Sequence, residues 1–478
     1  MNTAFHITRA LLVLTVFIPQ PLRGDERDDK IKSLEKRVEQ LEKLLQELSA
    51  KPAPPPAEAP KPAEAPKALP TLSIGASGFS MRSADSNFVM RLRGILQLDS
   101  RTYFDDGGIS GNDGFVLRRV RPIFEGTVYR DFQFRIQPDF AGSAATIRDA
   151  YLNYTYDSGL QLRLGKFKTP VGLEQVQSDS AGLFAERSLV SDLLPSRDLG
   201  VQLHGELWPG AESDTKSLGW SGVFNYALGV FNGLGDGRMS SNSDFDDSKH
   251  VAGRLLLHPF LKSNLDPVKG LGLGIGASFG DSHGAAGLPQ NNGFATEGQQ
   301  SFFTYFTSSR ATDPNVIADG THWRFSPQAY WYWKRFGLLG EYAISSQELR
   351  RTDLGTPATV RNTGFQISGA CMLTGESPTY KYVSPDHPFD PRNNSWGAFE
   401  LVGRYSQLNV DDAVFPLFSN PATSANRAAA WGVGLNWYLN RNVRTSLDFI
   451  HTDFAGGALS DVARQDEKFF VTRVQLVF

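Results

Sequence analysis

One cysteine, Cys371, in 478 residues leaves nothing for a disulfide framework or a Cys-rich zinc site. Charge of one sign is also lacking. Lys plus Arg total 48 and Asp plus Glu 51, a formal charge of −3, which argues against a polybasic nucleic-acid binder. The eight His are scattered with no pair at ligand spacing, so no metal is expected. No nucleophile with a nearby base is legible, and an enzyme is not expected. No cofactor is expected either. Gly270, Gly272, Gly274 and Gly276 recur at a spacing of two, with no Gly-Lys-Ser after them, which suits one face of a strand better than a phosphate loop. Mean hydropathy is −0.29 and no run of about 18 apolar residues exists, which excludes a helical membrane span.

What is present is organised in four parts. Residues 1–24 read as an export signal: Arg9 supplies charge, Ala10 to Ile18 is a short apolar run, and Pro19 and Pro21 end it. Residues 25–50 follow as a helix whose Ile31, Leu34, Val38, Leu41, Leu45 and Leu48 are spaced 3, 4, 3, 4, 3, the pattern of a coiled coil. Residues 51–70 are almost wholly Pro, Ala, Lys and Glu, an extended spacer. Residues 71–478 form the body.

The body alternates with a period of two, which means strands. Leu92, Leu96 and Leu98 share one face, and Arg91, Arg93, Gln97 and Asp99 the other. Phe132, Phe134 and Ile136 lie opposite Gln133, Arg135 and Gln137. Sixteen such segments are counted from 88–101 to 468–478, with none between 280 and 322. Aromatics at strand ends (Tyr129, Tyr154, Tyr156, Trp331, Trp333, Trp437), short turns alternating with long polar loops, and a last strand ending in Phe478 favour a membrane barrel over a soluble sandwich. The expected fold is therefore all-β, a sixteen-stranded antiparallel transmembrane barrel with apolar side chains outward and an aqueous middle.

Function then follows from the lining. The inward face of the first five strands carries Arg91, Arg93, Arg119, Arg121, Arg135 and Arg163, against Asp99, Glu125, Asp139 and Asp149. Guanidinium forks bind phosphate or carboxylate, so such a wall would draw anions through. The same residues also fit a second reading, in which Arg and acid pair across strands and give little selectivity. The long segment from Pro170 to Pro195, carrying Glu186, Arg187 and Asp192, suits a constriction loop folded into the barrel, or else an outer loop over its rim.

Several strings then converge on one family. They include Leu117-Arg118-Arg119-Val120-Arg121, Glu125-Gly126-Thr127-Val128-Tyr129-Arg130-Asp131, Ile147-Arg148-Asp149-Ala150-Tyr151 and Leu164-Gly165-Lys166-Phe167-Lys168-Thr169-Pro170-Val171-Gly172-Leu173-Glu174. Further along stand Arg197-Asp198-Leu199-Gly200-Val201 and Asn436-Trp437-Tyr438-Leu439-Asn440. In this order the chain resembles the phosphate-selective porin O and P family of Gram-negative outer membranes. The resemblance implies a homotrimer of sixteen-stranded barrels, an infolded third outer loop and passage of anions through an arginine-lined pore, with Arg119 and Arg121 among the lining.

The reading is a passive outer-membrane channel for small anions, phosphate or polyphosphate first, embedded in lipid, with its coil in the periplasm. Its alternatives are a general porin for small polar solutes and a structural tether that reaches the cell wall through the coil.

Overall fold

The structure, a computed structural model, describes residues 24–49, 69–104, 111–211, 220–237, 242, 244, 246–308, 310, 313–458 and 463–478. The expected signal and most of the Pro-rich spacer lie outside the described residues. By itself, α1 (Gly24–Ser49) is one continuous helix. Its seam residues Ile31, Leu34, Val38, Leu41 and Leu45 are all exposed.

Sixteen antiparallel strands close into a barrel. They begin with β3 (Val89–Phe104), β4 (Gly114–Val128), β5 (Phe132–Asp139), β6 (Thr146–Asp157), β7 (Leu160–Lys168), β8 (Arg197–Pro209), β9 (Gly222–Phe231), β10 (His250–Leu257) and β11 (Leu271–His283). They continue with β14 (Val316–Trp333), β15 (Phe336–Arg351), β16 (Thr356–Met372), β17 (Ala398–Asn409), β18 (Ala425–Tyr438), β19 (Val443–Gly456) and β20 (Glu467–Val477). Each of the sixteen expected segments overlaps one of these. Between β11 and β14 the named strands among the described residues form a small hairpin, β12 (Phe294–Ala295) with β13 (Ser301–Phe303), and it belongs to a loop.

Closure runs through β20 and β3, from Lys468↔Phe104 to Val477↔Ile95. Gly94 extends the seam: its amide donates to the Phe478 carbonyl at 2.9 Å, and it accepts from the Phe478 amide at 3.1 Å. Below that point β3 pairs instead with β2 (Gly78–Arg82), which is the return strand of a hairpin begun by β1 (Thr71–Gly75). This hairpin is absent from the sequence reading. Its strands are only five residues each, too short for the alternation to register.

The period of two sorts side chains as expected. Leu96, Leu98, Leu164, Leu255, Ile275, Leu401, Val433 and Val474 are exposed on the outer face. Gln97, Asp99, Asn153, Gln202, Ser326 and Asn436 are buried on the inner one. Cys371, between Ile367 and Leu373, falls on the outer face as its alternation implies.

Two expectations need correction. First, the middle is not simply aqueous. Connecting segments enter it and build an apolar cluster, in which Phe184, Leu189, Val190 and Leu193 meet Phe294, Phe302, Phe303 and Val316. Second, turns and loops do not divide cleanly by length. Segment 373–397 is long and leaves the turn end, whereas 352–355 is short and joins strands at the loop end. The long turn-end segment earns its length by reaching inward. Tyr380 is buried and donates its hydroxyl to the Leu173 carbonyl at 2.5 Å.

Candidate functional site

The connection from β7 to β8, residues 169–196, folds into the barrel. Apolar side chains give it a reason to stay there: Val171, Leu173, Leu189, Val190, Leu193 and Leu194 are all buried. Its short helix α2 (Leu173–Val176) and the 3-10 turn Leu189–Leu193 leave backbone groups that inner-wall side chains satisfy. Glu341 on β15 accepts from the amides of Leu173 (2.6 Å) and Glu174 (3.2 Å), and Asp448 on β19 accepts from the Ala185 amide (2.7 Å). Arginines do the converse. Arg404 on β17 donates to the Glu186 carbonyl at 3.1 Å, and Arg444 on β19 to that of Gly182 at 2.9 Å. Gln328 on β14 donates to the Val171 carbonyl at 2.8 Å. A Cβ at Gly276 on β11 would overlap that same carbonyl, so the glycine is what lets the loop lie so close.

Two loop carboxylates tie the opposite side. Glu186 meets Arg118 at two points (2.6 and 2.9 Å), Arg473 at 2.8 Å and Arg101 at 3.3 Å, and Asp99 bridges the last two arginines. Asp179 contacts Arg121, Arg187, Arg197 (3.2 Å) and Lys168 (3.9 Å). Burial alone would raise the Asp179 carboxyl, but Lys168, Arg187, Arg121 and Arg197 outweigh it and hold it well below the usual carboxylate range. Burial opposes Glu186 in the same way, and Arg118 and Arg473 lead the cations that hold it down.

From Asp179 the pairs run on into the wall. Arg121 also meets Asp139 (2.7 Å), which takes Arg148 (3.2 Å). Arg197 also meets Asp149 (2.8 Å), then Arg135 (3.4 Å), then Glu125 (3.1 Å), then Arg93 (3.2 Å). Among the described residues this is one connected network of seven cations and four carboxylates.

Of the six arginines drawn from the sequence, Arg93, Arg121 and Arg135 thus sit in the network, and Arg91 is exposed at the turn end. Arg119 is buried against Gln97 without a carboxylate within 4.0 Å among the described residues. Arg163 also has none. It lies over the Tyr151 ring at 4.6 Å and donates to Asn153 at 3.3 Å. In the loop, Glu186 and Arg187 belong to the ion-pair clusters. Asp192 turns away from them and accepts from the Ala295 amide at 2.9 Å.

Sequence reasoning missed Arg118 and Arg148, and for one reason. In β3–β4 the register passes from Gln97↔Arg119 to Leu98↔Leu117, and in β5–β6 from Gln137↔Asp149 to Pro138↔Ile147. Each skip is a bulge that turns one extra arginine into the barrel. Strict alternation sends both to the lipid face. Arg254 on β10 was missed differently. It alternates inward between Ala252 and Leu256, but lies beyond the five strands from which the arginine wall was drawn.

Between the loop and the β5–β10 side of the wall remains a cavity of about 550 Å³. Arg135, Arg163, Lys168, Arg197 and Arg254 line it, with Asp149, Asp179 and Glu206 as its carboxylates, a cationic excess of two.

Residues 90–478 match the family described as phosphate-selective porin O and P. The chain belongs to that family. Porin O of Pseudomonas aeruginosa is 25% identical to it over 434 residues, 84% of this chain and 91% of that protein. Among solved structures, the outer membrane channel DcaP of Acinetobacter baumannii shares the fold with a TM-score of 0.52 at 11% identity, over 84% of this chain and 100% of that one. OmpT, an outer membrane protein of Vibrio cholerae, aligns with a TM-score of 0.48 at 11% identity, over 82% and 98% respectively. This porin is therefore an outer-membrane channel and not an enzyme. Its exposed Leu and Val rows form the outer face of the barrel.

Proposed function

We propose that this porin is a passive channel selective for small anions, inorganic phosphate among them. The observation that carries the reading is the cavity beside the infolded loop, where five cations face three carboxylates. Most lumen arginines spend their charge on neighbours. Arg163 and Arg254 have no carboxylate within 4.0 Å among the described residues, and each lies over an aromatic ring instead. Such guanidinium groups have no carboxylate in direct contact to compete with an anion, and an excess of only two keeps the hold weak enough for release. Porin O carries a name from the same family, and phosphate enters as a candidate solute through that membership.

The channel is proposed to assemble as a homotrimer, as the family resemblance implies. The uncovered seam of α1 supports pairing of that helix with copies of itself as a coiled coil on the periplasmic side. The test is the zero-current potential of single channels in a planar bilayer under a salt gradient. An anion-selective sign is expected, and a cation-selective sign overturns the proposal.

A further inference from the structure

Arg254 is set apart from the other inward arginines by its surroundings. It lies opposite Ala227 on β9 and Gly276 on β11, two small neighbours, and is buried. Its Nε donates to the Gln328 side chain at 2.7 Å, and its buried Nη2 has no hydrogen-bond partner among the described residues. Its guanidinium carbon sits 4.7 Å from the centre of the Trp220 ring. Trp220 in turn packs on Tyr380 at 4.9 Å, so the arginine rests on an aromatic stack anchored to the inward-reaching 373–397 segment. Trp220, Tyr226, Leu256 and Arg254 line the same cavity. The Tyr226 hydroxyl is taken up by the Gly159 carbonyl at 2.7 Å, which leaves its ring as the available surface.

These surroundings are poor for a bare oxyanion. Phosphate is strongly hydrated and needs several donors to replace its water, whereas the flank here is Trp220, Tyr226 and Leu256. A carboxylate needs only one guanidinium edge. A ring or short apolar chain attached to it would gain from the flank. A cavity of about 550 Å³ has the size of a small-molecule site.

We propose that Arg254 and Trp220 form a binding station for organic monocarboxylates with a flat or apolar body, with Arg254 taking the carboxylate and Trp220, Tyr226 and Leu256 the body. This rests on the anion-channel reading and adds a preferred class of solute to it. Inorganic phosphate passes the station, and an aromatic carboxylate pauses at it.

The experiment is block of chloride current through the full-length channel in a planar bilayer, with benzoate, benzamide and inorganic phosphate as probes. Benzoate is expected to block at a concentration about ten-fold or more below phosphate and below neutral benzamide, the equivalent of ~1.4 kcal/mol or more. R254Q and W220A are each expected to raise the half-blocking concentration of benzoate about ten-fold, and W220F, which keeps a ring under the arginine, to raise it less. Insertion of stepwise channels by each variant shows that it has folded. Phosphate block as tight as benzoate block, equal block by benzamide, or benzoate block unchanged in R254Q or W220A overturns the station. The zero-current potential separates the two proposals. A cation-selective sign defeats the anion-channel reading, whereas an anion-selective channel that benzoate does not block defeats only the station.

Discussion

Arg118 and Glu186 are joined by two parallel hydrogen bonds, 2.6 and 2.9 Å, between a bulge in the barrel wall and the tip of the infolded loop. The bulge exists at the one point in β4 where two successive arginines, Arg118 and Arg119, both turn inward. Removing the carboxylate would leave Arg118, Arg101 and Arg473 facing one another with only Asp99 between them. Glu186→Gln is therefore expected to weaken loop docking by about 3–5 kcal/mol, the usual cost of stranding buried charge. Limited proteolysis of detergent-solubilised protein would show it as faster cleavage within residues 169–196.

Asp179→Asn acts on both stability and selectivity. Four cations, Arg121, Arg187, Arg197 and Lys168, lose their shared carboxylate beside the cavity. The expected outcome is a zero-current potential shifted further toward the anion value, with noisier open-channel current as the loop loosens. An unchanged potential would mean that this charge does not face the conduction path.

Gly276→Leu tests the close approach of the loop to β11. Any side chain there meets the Val171 carbonyl, which Gln328 holds. Overpacking of this kind costs about 1–3 kcal/mol. The loop is expected to move into the cavity, and single-channel conductance to fall.

How much of this was legible depended on what the period of two can carry. All sixteen barrel strands were, because each alternates over eight residues or more. The length from Pro170 to Pro195 marked a long loop but left open whether it folds inward or lies over the rim. Arg118 and Arg148 were not legible, since a bulge changes the face of a residue without changing its neighbours in sequence. The short β1–β2 hairpin offered too few residues for a pattern. The inward reach of 373–397 was hidden because it rests on a tertiary contact, Tyr380 with Leu173, that no local rule predicts.

Loop docking should also depend on pH through Asp192. Partial burial, together with Asp236 and Glu297 nearby, pushes its carboxyl from 3.8 up to about 7, against the opposing Ala295 amide. A raised carboxyl holds its proton in the folded state while the undocked loop has lost it. Docking is thus strongest below the ordinary value and weakens as pH rises from about 4 through about 7. Proteolysis of the loop should be slower at pH 5 than at pH 8. Asp192→Asn, which still accepts from Ala295, should flatten that difference.

The central claim is that ions pass between the infolded loop and the wall that carries Arg163 and Arg254. Gln161 lies on that wall, lines the cavity and offers a site for a thiol. In a Cys371→Ser background, Gln161→Cys channels treated with a sulfonate-bearing thiol reagent should lose conductance and anion selectivity together. Full labelling of that cysteine with no change in current would place the conduction path elsewhere and contradict the account.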